Sequence, residues 1–253
     1  MRKFLLKDNK YMFISIIILL ILWQMGAVAV NNQLLFPSLD RITDELNRII
    51  FNKDFVNLIF ASLLRCLISF IISIILAIIL GTLSYINKFI YNFLYPIFSV
   101  IKSIPTMAFI VLALIWISKD YAPIMIGGLI SIPIYYEVVL NSLLGIDENI
   151  IEMCEVYRVK SKDIIISIYL PTIIFSLINV FSSSLSLIFK VVISGEIYSQ
   201  PKYGIGAIIQ MEKMQLNTVA VIAWIIIISI ITILFDKIIK KLSNRCIKWN
   251  KEI

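Results

Sequence analysis

The stretch Glu152–Pro171, EMCEVYRVKSKDIIISIYLP, is charged and polar over its first half, yet long apolar runs lie on either side of it. The composition of the surrounding chain decides how that segment is read. Of 253 residues, 60% are hydrophobic and only 15% are charged, and the mean hydropathy is +0.96. That leaves too little polar surface to coat a soluble globule. The sequence therefore predicts an all-α integral membrane protein, a polytopic transmembrane helical bundle.

Crossing a hydrocarbon core takes about 20 apolar residues. Runs of that length occur at Tyr11–Val30, Leu58–Ile86, Tyr95–Ile117, Tyr121–Leu144, Thr172–Ser194 and Val219–Ile239, which gives six spans in a single transmembrane domain over residues 1–253. The first run follows the basic segment MRKFLLKDNK and carries an Ala-x-Ala-like site at Ala27–Ala29, as a cleaved signal peptide would. Its apolar stretch exceeds the roughly 7–15 residues usual for such peptides, which favours an uncleaved helix.

Orientation follows from Lys and Arg, which concentrate in cytoplasmic segments near the spans. With the N-terminus inside, the cytoplasmic segments hold Arg2, Lys3, Lys7, Lys10, Lys88, Arg158, Lys160, Lys162 and the basic C-terminal run from Lys237 to Lys251. The outer segments hold only Arg41, Arg48, Lys53, Lys119, Lys202 and Lys213. Both termini are expected in the cytoplasm of a bacterial cell, with the chain crossing its plasma membrane repeatedly. The net charge of +7 then reflects contact with the lipid bilayer and not nucleic acid, because the cations sit at helix ends instead of in one patch with interleaved aromatics.

This topology places a loop at residues 147–170 in the cytoplasm, between the fourth and fifth spans. Asp147 is suited to cap a short amphipathic helix in which Ile150, Met153, Cys154 and Tyr157 recur at helical intervals, with Glu148, Glu152, Glu155 and Lys162 on another face. Ser161 is expected to cap a second segment leading to Leu170 and Pro171, where proline suits the first turn of the fifth span. Such a helix could lie on lipid headgroups, but an anionic leaflet would repel its acidic first half. A protein partner accounts for it better.

Here a family resemblance enters. Glu152, the apolar pair after it and the terminal Ile168-Tyr169-Leu170-Pro171 resemble the cytoplasmic EAA loop of ABC importer membrane subunits. Nearly the whole chain is similar to the nitrate, sulfonate and taurine branch of those subunits. The similarity is carried in order by LFPSLDRI (35–42), ASLLRCLISF (61–70), IKSIPTMAFIVLALIWI (101–117), NSLLGIDENIIEMCEVYR (141–158) and GEIYSQPKYGIGAII (195–209). The resemblance implies a type I ABC importer permease fold, two permease copies paired as a homodimer, cytoplasmic ATPase subunits gripping the loop, and an extracytoplasmic binding protein that delivers solute. Glu152, Glu155, Tyr157, Arg158, Lys162, Leu170 and Pro171 are the expected ATPase-coupling residues. One departure stands out: the family loop usually has glycine where this chain has Arg158, so the turn is expected to be reshaped.

The chain itself should do no chemistry. Its eight glycines nowhere form a Gly-x-x-x-x-Gly-Lys-Ser/Thr phosphate loop, so no cofactor is expected on it, and ATP with magnesium belongs to the partner ATPase. With no histidine, three unclustered cysteines and no aspartate well inside a span, neither a metal site nor an intramembrane protease is supported. An ion-coupled secondary transporter or channel remains the alternative, since Glu137 could carry a proton, although no internal repeat is visible.

Arg65, Lys102, Glu137 and Lys190 lie in or at the edge of apolar runs, where an ionisable group is a site candidate by default; snorkelling or structural pairing is the competing explanation. Lys102, Pro105, Glu137 and Lys190 are the candidate translocation path. Cations there would suit a small anionic solute such as a sulfonate, taurine or nitrate, with a thiamine or pyrimidine precursor as the other substrate class. Pro105 and Pro133 are expected to interrupt their helices and free backbone groups. Tyr203–Gly206, YGIG, should form a turn or re-entrant element near the outer gate.

Overall fold

The computed structural model describes residues 9–248; the basic residues Arg2, Lys3 and Lys7 and the terminal Lys251 lie outside them. The helices are α1 (Asn9–Val30), α2 (Leu39–Ile50), α3 (Phe55–Ile86), α4 (Lys88–Ser103), α5 (Thr106–Trp116), α6 (Ala122–Leu144), α7 (Glu148–Val156), α8 (Ser161–Ile164), α9 (Leu170–Ser199), α10 (Ile205–Met214) and α11 (Thr218–Lys248). No strand occurs among the described residues. Among the described residues five helical stretches are long and apolar enough to span a bilayer, and α4 with α5 makes a sixth if the two count as one broken span.

Residues 9–55 with 208–228 form one compact unit. Within it, the turn after α1 is fixed by the Trp23 indole, which donates to the Pro37 carbonyl at 3.1 Å, and by Gln24, which accepts the Leu39 N–H at 3.1 Å. Trp23 also stacks on Phe36 with ring centroids 4.3 Å apart. The sequence reading left α2 unassigned because twelve residues with charges at Asp40, Arg41, Asp44, Glu45 and Arg48 carry no membrane signal. Its helical periodicity shows in the buried Ile42 and Ile49. Glu45 accepts from Arg48 one turn on, which raises the Arg48 guanidinium above its ordinary pKa.

Residues 56–207 with 229–248 form the second unit. Its core is the packing of α6 along α9, with α4 and α5 against α6. α3 joins α6 through a ladder of small polar residues: Ser69 donates to the Ile124 carbonyl at 2.8 Å, Ser73 and Ser131 lie 2.7 Å apart, and Tyr136 donates to Ser84 at 3.0 Å. Small residues let helix backbones approach, and each hydroxyl finds an acceptor where no water is available. At Gly81 a Cβ would come within 2.8 Å of the Val139 side chain, so the close approach needs glycine there.

The two prolines behave differently. Pro105 separates α4 from α5, which bend by 105° at that point, so the expected third span is broken. Pro133 is buried within the continuous α6 and does not interrupt it, contrary to the sequence expectation. A helix tolerates proline when neighbouring groups re-satisfy the freed carbonyl, and α6 is the most enclosed of the candidate spans.

Candidate coupling loop and translocation path

Asp147 caps α7 as expected: its carboxylate accepts the Asn149 backbone N–H at 3.0 Å and the Asn149 side-chain amide at 2.7 Å. At the other end, the Arg158 N–H donates to the Glu155 carbonyl at 3.0 Å and the Val159 N–H to the Cys154 carbonyl at 2.9 Å. These paired bonds are a Schellman cap, which needs its C′ residue in the left-handed region. Arg158 fills that place with φ of 51°. The expected reshaping of the turn is therefore not seen: the glycine conformation is kept and an arginine occupies it, because two carbonyl bonds outweigh a cost of roughly 1 kcal/mol.

Lys160, and not Ser161, takes the N-cap position of α8; its carbonyl accepts the N–H groups of Asp163 and Ile164. From there the chain continues without a break through a π-helical turn, Ile165–Tyr169, into α9. Pro171 is the second residue of α9, in the first turn where it was expected, although the helical path runs into α9 from α8 through the π turn. Proline has no N–H to give to the helix, and here the wider π turn lies directly ahead of it. Leu170 N–H reaches the Ile165 carbonyl across the turn, and Thr172 Oγ1 donates to the Ile168 carbonyl at 2.7 Å.

Glu152, Glu155, Tyr157, Arg158, Lys162 and Leu170 are all exposed, and Pro171 is half-buried. Of the apolar set that recurs at helical intervals, only Cys154 is buried; Ile150, Met153 and Tyr157 are open, as is Val156. The loop thus offers charge and an apolar surface side by side, which the second unit itself leaves uncovered.

The membrane-depth charges separate into two kinds. Lys102 and Glu137 form an ion pair, with side chains 35% and 54% exposed. Pro105 sits exposed three residues beyond Lys102, and Lys190 is exposed on α9 with no ion pair among the described residues. Of the four, Lys102 and Glu137 are the two brought together by an ion pair among the described residues.

Arg65 belongs to a site the sequence reading missed. Its Nη1 donates at 2.7 Å to both the Glu196 carboxylate and the Tyr203 carbonyl, and its Nε reaches the Asp120 carbonyl at 3.3 Å. Glu196, fully buried, also accepts Ser62 Oγ at 2.7 Å and the Gly206 N–H at 3.0 Å, while Ser62 Oγ accepts the Ile205 N–H at 2.9 Å. The YGIG segment is consequently a loop and helix start clamped onto α3 and α9. The available signal was Glu196 itself, an acid just after the apolar run Thr172–Ser194. Asp236, near the end of the last span, accepts hydroxyl bonds from Ser182 and Ser186 at 3.1 and 2.5 Å.

Several spans, one of them broken at a proline, and a polar loop exposed at one bundle end define a multi-pass membrane component of transporter type. Residues 73–248 match the family described as binding-protein-dependent transport system inner membrane component. A Methanocaldococcus jannaschii protein that bears the name of an ABC transporter permease is 20% identical over 91% of this chain and 88% of its own. Two inward-facing crystal forms of the MetNI methionine ABC transporter share the fold. The selenomethionine-soaked form has a TM-score of 0.64 at 17% identity, covering 75% of this chain and 94% of that one. The native form has a TM-score of 0.57 at 20% identity, covering 74% and 94%. The chain belongs to the binding-protein-dependent transport family: it is a permease subunit of an ABC importer, a class in which a separate ATPase hydrolyses ATP.

Proposed function

We propose that the chain forms the path for a small anionic or zwitterionic solute of the nitrate, sulfonate and taurine kind, handed over by an extracytoplasmic binding protein. ATP closes the partner ATPases, which pull on residues 147–170 and switch the bundle between inward- and outward-open states. The observation that carries this reading is the α7–α8 loop, whose Schellman-capped turn presents Glu152, Glu155, Tyr157, Arg158 and Lys162 beside the uncovered Ile150, Met153 and Val156. A charged and apolar surface of this kind suits a protein partner. In this reading residues 1–253 act as one transmembrane domain, both termini are cytoplasmic, a second identical copy completes the pore, and the chain binds no cofactor and no nucleic acid.

Lys102 and Glu137 support this choice of solute class. A cation and a carboxylate at a proline break offer one charge of each sign, which suits taurine as well as a simple anion, and would equally suit an amino acid such as the methionine carried by the transporter of similar fold. A pyrimidine precursor, lacking an anion for Lys102, fits less well.

Co-purification with the ATPase tests the coupling reading. Wild type should hold the ATPase, and Glu152→Arg with Glu155→Arg should lose it while keeping its elution profile. An ATPase that binds both equally would remove Glu152 and Glu155 from the contact, and solute movement by this chain alone in liposomes, with no ATPase bound, would favour an ion-coupled carrier or channel.

A further inference from the structure

Beneath the α7–α8 loop the second unit contains an open cavity of about 510 Å³. That size is typical of clefts that take small apolar ligands. Its walls are almost entirely aliphatic: Ile78 from α3, Leu143 from α6, Ile151 from α7, Ile164 from α8, Ile165 from the π turn and Ile173 from α9. Polar groups enter only where the spans end, with Thr82, Tyr85 and Tyr169 on one side and Glu155 and Ser161 on the loop side. The rim is charged asymmetrically. Glu155 stands on α7, whereas Lys160 and Lys162 flank Ser161 and are exposed.

An aliphatic hollow at the end of transmembrane helices, bordered by tyrosines and with lysines beside its mouth, has the polarity of one molecule available on all sides of this protein. We infer that a phospholipid of the surrounding bilayer seats an acyl chain in this cavity and sets its phosphate on the α8 side, against Lys160 and Lys162. Interfacial tyrosine and lysine suit the headgroup level, and aliphatic walls suit the chain. The acidic α7 keeps a protein partner, so one loop meets lipid on one flank and protein on the other. Because Ile151 and Glu155 on α7 share this wall with the span ends, the lipid would wedge the loop against the bundle and hold the angle at which α7 is presented.

The experiment is native mass spectrometry of the full chain, alone and with its ATPase, after delipidation in mild detergent and return of a defined phospholipid. The chain alone is expected to retain one phospholipid, the complex to keep it, and Thr82→Trp and Ile151→Trp, which fill the cavity from opposite walls, to lose it. Two fillings are used so that misfolding of one, seen in its elution and melting, leaves the other decisive. Lys160→Glu should lower retention of the phospholipid but not of a fatty acid that has only the chain. Equal retention by wild type and both filled variants would overturn the site. So would loss of the lipid when the ATPase joins, which would give the cavity to a side chain of that partner. Lipid retention by the isolated chain is read without reference to coupling, so its failure and the failure of the importer mechanism are separable.

Discussion

At the Ser62 end of α3, the two charges drawn into the bundle are answered inside the chain: Arg65 by Glu196 and two carbonyls, Glu196 by Ser62, Arg65 and the Gly206 N–H. At the Tyr85 end, about 35 Å further along the helix by its rise per residue, the neighbouring loop leaves Glu152, Tyr157, Arg158 and Lys162 open. The first end is a brace, with its polar groups buried and mutually satisfied, and such an arrangement has one geometry. The second is an open surface, whose backbone is capped at Asp147 and Arg158 while its charged side chains stay exposed. A conformational change driven from the loop would need this combination, one end held and the other gripped.

Breaking the brace should have the largest effect. Glu196→Ala strands Arg65, only 13% exposed, and is expected to destabilise the chain by about 3–5 kcal/mol, read as a fall in the melting temperature of detergent-purified protein. Arg65→Met combined with Glu196→Leu should recover much of that loss, since no unpaired charge remains; an additive double mutant would show that the two ends are not distinguished by ion pairing. Gly206→Ala comes next. Its Cβ would lie 2.5 Å from the Ile193 carbonyl and 2.6 Å from the Glu196 Cβ, and a cost of about 1–3 kcal/mol is expected in the same melts.

At the open end the signs and sizes change. Arg158→Gly relieves the left-handed arginine and should stabilise by up to about 1 kcal/mol, and a loss of stability would show that the guanidinium makes contacts which offset its backbone strain. The Lys102–Glu137 pair should give the smallest stability term, a double-mutant coupling of about 1 kcal/mol or less, because both side chains are over a third exposed. Uptake by the assembled transporter should nonetheless fall with Glu137→Gln. Unchanged uptake would return the pair to a structural role.

Much of the fold could be read in the chain because membrane spans are announced by length and apolarity alone. The predicted Thr172–Ser194 and Tyr121–Leu144 lie within or nearly match observed helices, and Asp147 caps where a short acidic side chain ahead of helical periodicity should. The same criterion missed α2 and α10, which are too short to span, and it read α4 and α5 as one because hydropathy is blind to a bend. Arg158 shows a different limit: residue type argued against a left-handed turn, and carbonyl bonds five and three residues apart overruled it.

The sequence by itself determined that this chain lives in a bilayer, crosses it several times and carries a capped polar loop, because those properties depend on composition and on neighbours within a turn or two. Tertiary structure alone decided that Arg65 faces Glu196 across 131 residues, that Lys102 meets Glu137, and that Pro133 is absorbed where Pro105 breaks a helix. The reason is physical: in a medium without water a charge must find its partner in space, and only packed helices bring distant residues to the same depth.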